Sequence, residues 1–144
     1  MREWRVNMSR YGIDREAYRE LKAFCHQYPD KKAMVASAIM PAASEHVGSG
    51  RGLPSDPVSR AAIEREIFLR DIEMIDRAAR ETDGGKWERA LLRNACYKEG
   101  YERLDPSLLP TCNRNAFFSA RREFFWRLYN LKIWYAWGSK NVLK

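Results

Sequence analysis

An all-α fold is predicted by three features of this sequence. Apolar residues recur at three- and four-residue spacing through most of the chain, as one face of a helix requires. No segment sustains the apolar-polar alternation of a half-buried strand. Each periodic segment also carries its own start and stop residues. The expectation is a small helical domain of about five helices, closing in a helix-turn-helix-like unit.

Asp14 is a good N-cap for the first helix, "REAYRELKAFCHQY", whose Tyr18, Leu21, Phe24 or Cys25, and Tyr28 form an apolar stripe. Pro29 ends that helix or opens the next, and "DKKAMVASAIM" reads as a shorter one. From Pro41 the pattern gives way to "PAASEHVGSGRGLPSD", a solvated connection rich in Gly, Ser and Pro. Its glycines lack the lysine and Ser/Thr of a phosphate loop, and no strand precedes them. The expected organisation is an N-terminal helical segment at 1–40, a linker at 41–55 and a helical core at 56–144.

Asp56 and Pro57 open the third helix, with Ile63, Ile67, Ile72, Ile75 and Ala79 as its buried stripe and "TDGG" as its stop. The fourth runs from Trp87 to Glu99, with Trp87, Leu91 and Ala95 or Tyr97 inward and Gly100 as terminator. "YERL" adds a turn, "DPSLLP" is a loop, and Thr111 or Asn113 caps the last long helix. In that helix Phe117, Phe124, Leu128 and Leu131 share a face flanked by Phe118, Phe125 and Tyr129. Burying each such ring contributes about 1.5–3 kcal/mol, so this helix is expected to organise the core.

The net charge of +7 is unevenly placed. Residues 1–30 contribute +1, residues 31–55 contribute +2, and residues 56–112 contribute −2. Residues 113–144 contribute +6, with Arg114, Arg121, Arg122, Arg127, Lys132, Lys140 and Lys144 against Glu123 alone. An anionic partner is therefore expected there. Arginine forks bridge phosphate oxygens or read guanine, and asparagine reads adenine, so Arg114, Asn115, Ser119, Arg121, Arg122 and Arg127 are the candidate nucleic-acid contacts. Trp134, Tyr135 and Trp137 are a candidate protein-binding anchor, the alternative being that they pack back on the first helices.

Catalysis, cofactor and metal are not expected. Cys25, Cys96 and Cys112 are far apart, and His26 and His46 complete no zinc spacing with them. Cys25 and His26 are adjacent, so on a helix their side chains diverge by about 100°. No apolar run approaches the ~20 residues of a membrane span, and the N-terminus has no signal-peptide core; a cytoplasmic protein is expected.

The succession "YGIDREAYRELKAFCHQYPDKK", "SDPVSRAAIERE", "IEMIDRAA" and "PTCNRNAFFSARREFFWRL" resembles a family of small prophage proteins of Gram-positive hosts, the RinA- or ArpU-like regulators of late genes. The resemblance covers about residues 11–131. It is sharpest in "FCHQYP", "SDPVSRAAI" and "CNRNAFFSARREFFWRL", where that family shows a Cys, a following Arg, an aromatic pair and "RR-x-FF". It implies a sigma-like C-terminal helix-turn-helix that binds double-stranded DNA and helps switch on packaging and structural genes, alone or with RNA polymerase. Arg114, Asn115, Arg121 and Arg122 match the family's basic positions, and Phe117, Phe124 and Phe125 its core. The "DPSLLP" connection is longer, and the tail more aromatic, than the family's pattern. The alternative function is a small phage-encoded inhibitor that binds a host nucleic-acid enzyme, such as a CRISPR defence nuclease.

Overall fold

In the computed structural model, residues 11–37 and 56–141 are described, with side chains through residue 136. The linker expected at 41–55 lies outside them. Five α-helices are present among the described residues, and no strand: α1 Arg15–His26, α2 Tyr28–Ala36, α3 Pro57–Glu81, α4 Glu88–Ala95 and α5 Arg114–Asn141. The chain is all-α. It divides into two compact units, one drawn from residues 1–27 and 74–144 and the other from residues 28–73. The segment expected at 1–40 thus contributes to both.

The helix starts follow local chemistry. Ala17 N–H donates to Asp14 Oδ1 at 2.8 Å, and Val58 N–H to Asp56 Oδ1 at 3.2 Å. These side chains supply acceptors to first-turn amides that have no partner within the helix. At α5 both expected residues act in sequence: Thr111 Oγ1 accepts from Asn113 N–H, and Asn113 Oδ1 caps Ala116 N–H at 3.1 Å.

After α3 the chain reverses at Asp83, Gly84 and Gly85, all in the left-handed region, with φ of 48°, 72° and 87°. Gly85 also lies so close to the Arg80 carbonyl that a Cβ there would stand 2.9 Å from its oxygen. The reversal carries Trp87 into the interior, and its indole N–H donates to Asp83 Oδ2 at 2.9 Å. The buried indole therefore keeps a polar partner at the turn that places it.

Helix α4 ends at Ala95, earlier than the expected Glu99, and Gly100 is not its terminator. The left-handed position is Lys98, with φ 61°, and Glu99 N–H donates back to the Arg93 carbonyl at 3.1 Å. That bond reaches one residue further back than the six-to-one bond of a Schellman motif, and it satisfies a carbonyl of the last turn. Residues 96–113 then reach α5 through two 3₁₀ turns, Tyr101–Arg103 and Pro106–Leu108. The connection is longer than the three- or four-residue turn of a helix-turn-helix.

The unit built from residues 1–27 and 74–144 holds an aromatic core. Trp87, Phe117, Phe124, Phe125, Ile75, Leu91 and Leu128 are buried within it, together with Ile13, Leu21 and Cys25 from the N-terminal part. Trp87 meets Phe117 edge-on at 6.0 Å, and Tyr18 meets Phe125 at 5.3 Å. Such tilted pairs add about 0.5–1.5 kcal/mol each beyond their area. Of the face expected on α5, Phe117, Phe124 and Leu128 are buried, while Leu131 is half-buried at its edge.

In the unit of residues 28–73, Lys31 Nζ is buried and paired with Asp71 Oδ2 at 2.8 Å, and Arg65 donates to the Val35 carbonyl at 2.7 Å. The stripe expected on α3 is buried only at its C-terminal end, at Ile75 and Ala79; Ile63 and Ile67 are exposed at 54% and 39%. Periodicity identifies residues that share a face, but burial also needs an element to cover that face. At 25 residues α3 is about 37 Å long, more than the neighbouring elements cover.

Two substitutions separate these regions. Phe124→Ala is expected to lower stability by about 3–5 kcal/mol, the range for emptying a packed aromatic site. Ile67→Ser is expected to change it by less than about 0.5 kcal/mol, as at ordinary surface positions. Urea denaturation followed by far-UV circular dichroism measures both.

Candidate nucleic-acid interface

The first turns of α5 sort their residues sharply. At 100° per residue, Arg114, Asn115, Phe118, Ser119 and Arg122 fall within an arc of about 140°. Phe117, Ala120 and Phe124 lie outside that arc and are buried; Phe125, further along, falls within it and is buried, so the accessible surface is confined to residues 114–122. Within it Arg114, Asn115 and Ser119 are exposed, and Phe118 and Arg122 half-exposed. Four of the six candidate contacts, Arg114, Asn115, Ser119 and Arg122, are therefore gathered on one accessible surface at the start of a 28-residue helix. Phe118 joins them as a member that its aromatic character assigned to the core flank.

This surface is braced from the preceding turn. Arg114 Nη1 pairs with Glu102 Oε2 at 2.5 Å, and its guanidinium stacks over Tyr101 at 5.3 Å and Phe118 at 5.1 Å. The Glu102 carboxyl is held below its ordinary value, chiefly by the Arg114 hydrogen bond, then by a backbone hydrogen bond and the arginine's charge. Tyr101 is anchored in turn, its hydroxyl donating to the Cys112 carbonyl at 3.2 Å. Arg122 Nη2 donates to Ser119 Oγ at 3.2 Å, so two candidate contacts share one hydrogen bond.

The remaining two candidates stand elsewhere. Arg121 turns inward: Nε donates to Asn94 Oδ1 at 2.7 Å and Nη1 to the Tyr18 hydroxyl at 2.8 Å. Arg127 bonds Glu123 at 2.8 Å, with Glu81 at 3.9 Å. The acidic partners expected to be scarce are thus supplied from distant positions, Glu102 from the loop and Glu81 from α3. Both lie outside residues 113–144, where Glu123 is the one acidic residue.

Further along α5 the exposed side changes character. Trp126 and Trp134 are exposed at 36% and 60%, and with Ile133, Asn130 and the Arg77–Glu81 pair they line an open cleft of about 690 Å³. Trp134 therefore does not pack back on the first helices. Tyr135 is half-buried and meets Trp134 edge-on at 5.0 Å, and the Trp137 side chain lies outside the described residues. Trp126 was readable as an outward position, because "FFW" on a helix turns its third ring about 200° from its first.

Cys25 and Cys96 are both buried, and the Cys96 thiol is pushed up by its hydrogen bond with Cys25 and by burial. Cys25 is enclosed while His26 is exposed, which separates the adjacent pair. Among the described residues, no group of three metal-ligating side chains converges, and no helix is long and apolar enough to cross a membrane. Compared with models of known families, with characterised proteins and with solved structures, the chain matches none.

The Glu102–Arg114 pair gives a pH-dependent signature. Because the folded-state value is depressed, the pair's contribution is present above the unfolded value and is lost as pH falls through the folded one. Carboxyl-detected NMR titration is expected to show Glu102 protonating below the ordinary glutamate value of 4.5, and returning towards it in Arg114→Gln.

Proposed function

We propose that the protein binds double-stranded DNA through the first turns of α5 and, as a non-catalytic regulator encoded by a prophage, acts on late-gene transcription in the bacterial cytoplasm. The observation that carries this reading is the accessible arc of Arg114, Asn115, Ser119 and Arg122 at the N-terminus of a helix whose opposite face is locked into an aromatic core. A major groove admits a helix, and these side chains have the donors and acceptors that meet phosphates and base edges. The helix N-terminus adds its own positive potential. Transcription of late genes follows from the resemblance of "CNRNAFFSARREFFWRL" and the preceding segments to the prophage regulators, with RNA polymerase as the co-partner that such a role implies.

The test is duplex binding as a function of salt. Affinity is expected to fall steeply between about 50 and 200 mM salt. Arg114→Gln/Arg122→Gln is expected to reduce the log–log slope by roughly 1.8, at about 0.9 for each phosphate left without its arginine. A double variant with the parent's affinity and slope contradicts this reading.

One observation favours a second reading, a protein-binding module that inhibits a host nucleic-acid enzyme such as a defence nuclease. Trp134 is 60% exposed and shares an open cleft with Trp126, and exposed tryptophans at a cleft are frequent interface anchors. Capture from nuclease-treated host lysate is expected, on this reading, to retain one partner that Trp134→Ala releases. Loss of every partner after digestion of DNA and RNA contradicts it.

A further inference from the structure

We propose that Arg121 is a positioning residue that fixes the rotation of α5 about its own axis, and that it makes no contact with DNA; this rests on the DNA-binding reading above. Its guanidinium joins three helices. Nε donates to Asn94 of α4 and Nη1 to Tyr18 of α1, while the group lies over the Phe125 ring of α5 itself, 4.9 Å from the centroid. Both acceptors are held in place. Asn94 Nδ2 donates to the Glu99 carbonyl at 2.8 Å, within the turn that ends α4, so the amide oxygen faces the arginine. Tyr18 is buried, with its ring edge-on to Phe125.

Position along the helix gives this latch its consequence. Arg121 immediately precedes Arg122 and lies one turn beyond Phe117, so it sits at the border between the buried face and the accessible arc. A rotation of α5 by about 20° moves a side chain at the ~6 Å outer radius of a helix by about 2 Å. Hydrogen bonds to base edges do not survive such a displacement. The packed aromatic core limits rotation of α5, and hydrogen bonds, which weaken steeply with angle, narrow that limit further. The latch supplies two directional bonds, one to α4 and one to α1.

Arginine has the geometry for this role. Its planar fork presents Nε and Nη donors at a fixed angle, so one group reaches two acceptors on different helices. A lysine at the same position keeps the charge but has only a single nitrogen. This difference separates positioning from phosphate contact, since a phosphate accepts either cation.

The experiment measures duplex affinity from about 50 to 200 mM salt for the parent, Arg121→Lys, Arg121→Gln and Tyr18→Phe, with helical content monitored at the assay temperature. Positioning predicts that Arg121→Lys and Arg121→Gln both bind roughly tenfold more weakly at every salt concentration, with the parent's slope. Tyr18→Phe, which removes only a hydroxyl, is expected to weaken binding about threefold, again with the parent's slope. The inference is overturned if Arg121→Lys binds as the parent does, if Arg121→Gln flattens the slope by about 0.9, or if Tyr18→Phe has no effect. Should the Arg121 variants lose helical content, Tyr18→Phe alone decides, in the same two directions. A parent that shows no salt-dependent duplex binding overturns the DNA reading and this inference together, whereas failure of the inference alone leaves parent binding intact.

Discussion

Burial of one face of α5 is the constraint on which the larger unit depends. Phe117, Phe124, Phe125 and Leu128 are enclosed, with Trp87 against Phe117 and Tyr18 against Phe125. Each of these partners is delivered by its own local device. Asp14 starts the helix that carries Tyr18, the Asp83–Gly85 reversal delivers Trp87, and the left-handed Lys98 ends α4 just beyond the interior Ala95 and Cys96. With one face of α5 committed to the interior, the direction of every remaining side chain along it is determined. That is how a structural helix also presents Arg114, Asn115, Ser119 and Arg122 in a fixed array.

Three of the four arginines of α5 have different environments despite their similar sequence context. Arg114 is paired at the surface and lies over the Tyr101 and Phe118 rings, Arg121 bonds to α4 and α1, and Arg127 lies against Glu123 and Glu81. Formal charge therefore overstates the cationic surface available to an anion. What an approaching phosphate meets is concentrated in the first turns, where Arg114 and Arg122 stand beside a helix N-terminus. Releasing Arg114 to a phosphate exchanges one charge-assisted bond for another, a near-balanced step at an exposed site.

Helix existence and caps were legible in the sequence because they depend on neighbouring residues. Asp14, Asp56, Thr111 and Asn113 act as their chemistry predicts, and the split of the first turns of α5 into an aromatic interior and a polar exterior follows from its spacing. What was not legible depends on residues distant in sequence. Ile63 and Ile67 have the right periodicity, but nothing in a helical pattern says whether that face will be covered. Gly100 has the chemistry of a helix terminator, but α4 stops at Ala95 and the left-handed residue is Lys98, beside the Glu99 N–H that donates back to the Arg93 carbonyl. Arg121 was indistinguishable from Arg122 until Asn94 and Tyr18 arrived from 27 and 103 residues away. Local chemistry writes the elements; long-range partners assign their surfaces.

The most direct test of the central claim is residue-resolved NMR of the protein titrated with duplex DNA, observing arginine side-chain, asparagine amide and indole N–H signals together. DNA binding by the first turns of α5 predicts large shifts and broadening at Arg114, Asn115 and Arg122, with the Arg121 Nε–H and the Trp87 and Trp134 indoles little changed. Shifts concentrated at Trp126 and Trp134, with the first turns of α5 unaffected, contradict it and locate the working surface at the other end of the same helix.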